Sequence, residues 1–260
     1  MKLDRFTPVL ALLGACVAWV HPAVAQQHAS HPVVAGVPRN NEQPTHDQKM
    51  WALGLAAIST ETNGGSHEFL GGSKRTKESA IASRDLLEIW WGVKSREDLL
   101  KTLNWLETSG HRRQFDTLES FSQEQLAAYG SSDGAESENK MHIVLANKNL
   151  LGSKGIAAWD FGRYVAICGW GYQAGYITED EAWRMIMPIA RLTQPLFHSW
   201  KGFASNYMLG RRFWSLEQSN NDTGRYTEET AEWLLQIGKS PWTRTPWDLD
   251  LGSGQAMHAH

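Results

Sequence analysis

The sequence predicts an all-α fold, a single compact helical domain of about eight helices around a Trp-rich core. Three observations predict it. Apolar residues recur at three- and four-residue spacing in one segment after another, and no convincing run of alternating apolar and polar residues appears. Helix-start signatures, a Ser or Thr followed three positions on by an acid or Gln, stand ahead of several of these segments. Thirteen Trp among 260 residues supply large apolar area, each with an N–H that needs a partner. The 42% apolar and 20% charged composition is that of a globular chain and excludes global disorder.

The N-terminal segment reads as an export signal. Lys2 and Arg5 precede an apolar run from Phe6 to Val20, and Ala23-Val24-Ala25 forms a small-x-small cleavage site before Gln26. The run is shorter than the roughly 20 residues a membrane-spanning helix needs. Residues 1–25 are therefore expected to be a signal peptide, with cleavage after Ala25. Leu13-Gly14-Ala15-Cys16 offers the alternative of lipidation at Cys16. Cleavage after Ala25 changes the formal charge from −3 to −4 and leaves Cys168 as the remaining cysteine. The expected localisation is periplasmic or secreted, with a lipid anchor if Cys16 is used. Residues 26–46, with Pro32, Pro38 and Pro44, read as a flexible leader.

The helical domain is expected over residues 47–239. Asp47 caps a first helix to about Ile58, and a Gly-rich loop follows over 62–73. Ser79 opens a helix to Trp91 that carries Ile81, Leu86, Leu87 and Ile89 and stops at Gly92. Ser95 begins the next, whose stripe is Leu99, Leu100, Leu103 and Leu106, with Gly110 as its stop. A short helix follows Ser122, with Gln125 as cap partner. Residues 130–138 read as an acidic loop, and Met141 to Leu151 as helix. A longer helix covers Trp159 to Tyr172, weakened by three glycines. Thr178 and Glu181 make a capping box for a helix that Pro188 is expected to kink or split. Trp200 to Trp214 is a further helix, and Thr227 opens the last, closed by Gly238. Residues 240–260, rich in Pro and Gly, read as an irregular C-terminal tail.

Function is less legible. A net charge of −3 offers no basic excess, which argues against nucleic-acid binding. No segment beyond the signal is apolar enough to span a membrane. No G-x-S-x-G elbow is present, and His67-Glu68 lacks the second His of a zinc-protease helix. Gly71-Gly72-Ser73-Lys74 follows no strand and does not make a phosphate loop. Cys168 reads as a core thiol, and His28, His31, His258 and His260 lack the partners that a metal site requires. No cofactor and no metal are expected.

One polar constellation stands out. His111-Arg112-Arg113 follows Gly110, while Trp159, Asp160 and Arg163 share one helix, with Asp160 and Arg163 three apart on one face. Arg211 and Arg212 lie beside Trp214 on another helix, and Trp200 opens that helix. Arg stacks on Trp, and His titrates near neutral pH. The set His111, Arg112, Trp159, Asp160, Arg163, Trp200, Arg211 and Trp214 is therefore either a structural polar knot, with Asp160 paired beneath Trp residues, or a pocket for a polar or anionic ligand with His111 as acid or base.

Several motifs in this region recur in order: Trp90-Trp91-Gly92-Val93, the run from Glu97 to the Gly110-His111-Arg112 triplet, Trp159-Asp160-Phe161 with Arg163, Gly175-Tyr176-Ile177 through Trp183, and Ser199-Trp200 through Gly210-Arg211 to Trp214. Together they resemble the bacterial domain-of-unknown-function family 1266, the YbeU/YbeR-like proteins, over roughly residues 80–215. The resemblance implies a helical domain with no assigned activity, so no catalytic residue is carried over. The expected role is a non-enzymatic binding or interaction protein of the cell envelope, its partner an unknown protein or small polar ligand. The alternatives are an enzyme, such as a hydrolase, using His111 and Asp160 in a Trp- and Arg-lined cleft, and a neutralising partner of a toxin or effector, which would draw on the acidic loop.

Overall fold

The computed structural model describes residues 43–252, and these are helical, with no strand among them. The expected signal segment and cleavage site, Cys16 and the expected leader up to residue 42 lie outside the described residues, as do His258 and His260. Thirteen α-helical segments replace the eight expected, because short helices join the long ones. They are α1 (His46–Gly54), α2 (Ala57–Thr62), α3 (Lys77–Trp91), α4 (Arg96–Thr108), α5 (Arg112–Glu119), α6 (Gln123–Gly130), α7 (Gly134–Asn147), α8 (Ala157–Ala174), α9 (Glu179–Thr193), α10 (Trp200–Trp214), α11 (Leu216–Asn220), α12 (Asp222–Gln236) and α13 (Pro241–Arg244). Among the described residues no helix is long and apolar enough to cross a membrane.

The fold is organised around α8. All its residues are buried except Trp170 and Tyr172, and α3, α4, α9 and α10 pack around it. A helix apolar on all sides belongs inside, and its sequence is apolar on all sides apart from Asp160, Arg163 and Gln173. Its glycines serve close approach: at Gly169 the backbone of the Leu70–Gly72 turn rests directly on the helix. A smaller core of Phe115, Leu118, Leu126, Val144, Ile156 and Phe213 lies where α5, α6, α7 and α10 meet.

Several helix starts follow the local code. Ser95, Ser122, Thr178 and Ser199 each accept a backbone N–H two or three residues into their helix, and Ser122 and Thr178 complete capping boxes with Gln125 and Glu181. Thr45 and Thr76, rather than Asp47 and Ser79, cap α1 and α3. The last long helix starts at Asp222 behind Asn221, five residues before Thr227. Pro188 neither splits nor ends α9, which runs unbroken to Thr193. The expected stripe on α3 is also corrected. Leu87 is buried, but Ile81 and Ile89 are 58% and 67% exposed, because α3 lies on the surface of α8 and turns one narrow face inward.

The largest difference lies after residue 239. Irregular apart from α13, residues 240–252 are not a loose tail but form a strap that closes the Trp core. Trp242 stacks on Trp200 at 5.8 Å and 11°, and Trp247 meets Trp51 and Trp200 at 5.0 and 4.7 Å. Each indole N–H finds a carbonyl: Trp51 donates to Trp247, Trp200 to Thr245, Trp242 to Gly54 and Trp247 to Phe197. The strap's Pro and Gly residues break helix periodicity but leave its apolar residues free to pack.

Candidate functional site

Four of the residues singled out in the sequence come together. Asp160 is fully buried in the first turn of α8, and its carboxylate is surrounded by donors. Oδ1 accepts the His111 backbone N–H at 3.0 Å and Arg163 Nη2 at 3.1 Å. Oδ2 accepts the Arg112 backbone N–H at 3.0 Å and Arg112 Nη1 at 3.1 Å. The two backbone bonds come from the N-terminus of α5. His111, the residue that caps α5, supplies no side-chain bond of its own, so Asp160 caps this helix from a distance. A carboxylate also suits the positive end of a helix. Gly110 makes this possible: its φ is +58°, and any Cβ there would overlap the Asp160 carboxylate.

Both arginines are held on every side. Arg112 donates to the carbonyls of Leu106 and Glu107 at the end of α4, and its guanidinium lies 4.7 Å over the Phe161 ring. It thereby ties α4, α5 and α8 together. Arg163 lies 4.1 Å over Trp159 and 5.1 Å from Trp91, and its Nε donates to the Trp159 carbonyl. The Arg163 Nη2 also donates to His111 Nδ1 at 2.7 Å. A guanidinium has no lone pair to offer, so this contact makes Nδ1 the acceptor and leaves the ring proton on Nε2. The His111 ring sits edge-on to Trp105 at 5.1 Å.

The charges follow from this geometry. Burial and the neighbouring Arg163 push the His111 pKa down to about 4. For Asp160, burial acts upward, but the Arg163 charge and the backbone N–H groups of His111 and Arg112 outweigh it and hold the carboxyl below its usual range. The ring is neutral and the acid ionised at neutral pH.

A pH prediction follows. Below the ordinary His value of 6.5, an unfolded chain binds a proton that folded His111 refuses until about pH 4. Stability from this group is therefore complete above 6.5 and falls through that window, by on the order of 3 kcal/mol at about 1.36 kcal/mol per pH unit. Asp160 adds a further loss below the ordinary Asp value of 3.8. Urea midpoints between pH 7.5 and 4.5 should show the decline, with a shallower slope in His111→Gln.

Trp159 lies against the clamp beneath Arg163, and the remaining candidates lie outside it. Trp159 links the knot to α10, with Tyr207 at 5.0 Å and Trp214 at 5.5 Å. Its buried indole N–H has no acceptor among the described residues. Arg211 does not join the knot: it is buried and donates to Ser219 Oγ at 3.2 Å, bracing α10 against α11. Trp200 belongs to the Trp core beneath the strap. Cys168 is buried and burial pushes its thiol pKa up, which makes it unreactive. Two surface recesses, one of about 520 Å³ at the end of α8 and one of about 470 Å³ beside α10, are lined by other residues than those of the knot.

Two buried amides and one half-buried acid do similar work. Asn206 bonds Ala158 N–H and the Gly155 carbonyl, fixing the start of α8. Gln173 donates to Leu70 and Ser73 and accepts from Ser79, fixing its end. Glu136, in the stretch read as an acidic loop, lies in α7 and accepts the N–H groups of Leu216 and Glu217 at the start of α11. A single amide inside an apolar helical run was the signal for the first two.

Fold and site together define an all-α domain built on a buried helix and closed by a carboxylate, arginine and histidine clamp. The chain belongs to the family described as "Protein of unknown function (DUF1266)", whose profile matches residues 86–247. It is similar to two uncharacterised Escherichia coli (strain K12) proteins, YbeU at 26% identity over 137 residues and YbeR at 21% over 135. The aligned parts are 51% and 50% of this chain, and the chain spans 58% and 57% of the length of those relatives. No solved structure matches.

Proposed function

We propose that this is an exported, non-catalytic binding protein of the cell envelope, in which the Asp160 clamp holds the fold and performs no chemistry. One observation carries the reading: His111 Nδ1 already accepts a bond from Arg163, so the ring has no free lone pair to act as a base. Asp160, with all its oxygens engaged and no exposure, is equally unavailable to a substrate. The hydrolase alternative loses its base on this account. The toxin-neutralising alternative loses part of its acidic surface, since Glu136 is spent on α11.

Nuclear magnetic resonance of the His111 ring tests the reading. The expected result is a neutral ring with the proton on Nε2 throughout the range above about pH 5, in line with a pKa of about 4. A ring that titrates near pH 7, or carries its proton on Nδ1, would restore the enzyme reading.

Export rests on the Lys2 and Arg5 pair, the apolar run and Ala23-Val24-Ala25. Expression with the native N-terminus should yield exported protein whose first residue is Gln26. Recovery of a chain beginning at lipidated Cys16 would move the protein to a membrane anchor.

A further inference from the structure

The C-terminal end of α8 gathers three arginines that the clamp does not use. Arg84 caps the helix, its Nε donating to the Ala174 carbonyl at 2.9 Å, and Arg96 Nη1 donates to the Tyr176 carbonyl just beyond the helix at 3.1 Å. Arg96 is also neutralised, by Glu181 at 2.7 Å. Arg75 is different. Its guanidinium lies 5.4 Å from the Tyr172 ring, and among the described residues it makes neither an ion pair nor a hydrogen bond. The Nη2 atoms of Arg75 and Arg84 converge on one point beside Gly175, at 2.9 and 3.7 Å from where a Cβ would stand. Neither has a carboxylate within 4 Å among the described residues, and Glu179 is engaged by the Trp183 N–H.

Two guanidinium ends converging without an anion between them repel each other, and the helix carbonyls engage only one of the pair. The recess beside Gly175 measures about 520 Å³, and Arg75, Arg96, half-buried Tyr172 and Tyr176, Glu179 and Glu181 line it, while Arg84 reaches it only at Gly175. We infer that this recess binds a small organic oxyanion, a phosphate ester or carboxylate, whose charged group is held between Arg75 and Arg84 and whose ring or chain lies along Tyr172 and Tyr176. Arginine's planar fork suits both oxyanions. This gives a ligand class to the binding role proposed above and rests on that role, while using none of the clamp residues.

The test titrates the purified chain with phenyl phosphate, benzoate and inorganic phosphate by calorimetry at low salt. Saturable binding of phenyl phosphate or benzoate is expected, tighter than inorganic phosphate, and weakened about tenfold or more in Arg75→Gln. Arg75→Lys keeps the charge but loses the fork, and should fall between. Arg75→Gln should melt with the wild type, because Arg75 is exposed and holds no other element. Lys201→Gln, an exposed charge on α10, should bind as wild type. Preference for phenyl phosphate identifies a phosphate ester as the ligand, and preference for benzoate a carboxylate. Absence of saturable binding by all three probes, or equal weakening in Lys201→Gln, overturns the site. The His111 titration reads out separately: a neutral ring with no anion binding leaves the non-catalytic reading standing and removes only this recess.

Discussion

Asp160→Ala should lower stability by about 3–5 kcal/mol, the cost of removing one side of a buried ion pair. The variant leaves Arg163 buried on α8 without its counter-charge and strips Arg112 of its carboxylate partner. It also leaves the His111 and Arg112 N–H groups, the first of α5, without an acceptor. A domain of ordinary stability has about 5–15 kcal/mol in total, so a steep fall in melting temperature or a loss of soluble protein is the expected outcome. His111→Ala should cost less, about 1–3 kcal/mol, since it removes one acceptor of Arg163 while Asp160 remains. Thermal and urea melts of the two variants decide the matter. An Asp160→Ala protein as stable as wild type would show that the carboxylate does not hold α4, α5 and α8 together, and would reopen a functional role for it.

A chain ending at Lys239 should fail to reach the native fold. Trp242 is buried against Trp200, and burying a Trp of about 200 Å² contributes roughly 5 kcal/mol. Truncation also removes Leu251 and Trp247 from the same core and uncovers Trp51, Trp200 and Phe203. The Trp51 and Trp200 N–H groups lose their carbonyl partners with it. The expected readout is aggregation, or a state that retains far-ultraviolet helix signal without the near-ultraviolet Trp signal. A well-folded, monomeric 1–239 chain would show that the strap is an accessory. The family profile, which extends to residue 247, already takes in Trp242 and Trp247.

The two predictions mark the two kinds of information in the chain. Helices whose ends are written in neighbouring residues were legible: Ser95, Ser122, Thr178 and Ser199 each bond an N–H within three positions, so the local sequence contains both partners. The same holds for the Gly92 stop, whose left-handed conformation is a property of glycine itself. The resemblance to a helical family was also legible, because its Trp-centred motifs are local words.

Helix α5 was missed for the opposite reason. Its cap, Asp160, stands 49 residues from His111, and a remote carboxylate leaves no mark in the residues around the helix start. Glu136 likewise serves α11 from 80 residues away. Ile81 and Ile89 belong to the apolar stripe of α3 yet stay exposed, because periodicity reports an apolar face and not what covers it. The strap was read as a tail because Pro and Gly end regular structure, which says nothing about whether an irregular backbone is packed.

By itself, then, the sequence determined the helical class, the main helix boundaries and the pairing of Asp160 with Arg163, all of which depend on interactions between residues a few positions apart. Only the tertiary structure decided that His111 is an acceptor for Arg163 rather than a base, that Arg211 lies outside the knot, and that among the described residues Arg75 and Arg84 converge without a carboxylate. Those facts depend on distances between residues far apart in the chain, and such distances exist only once the helices have packed around α8.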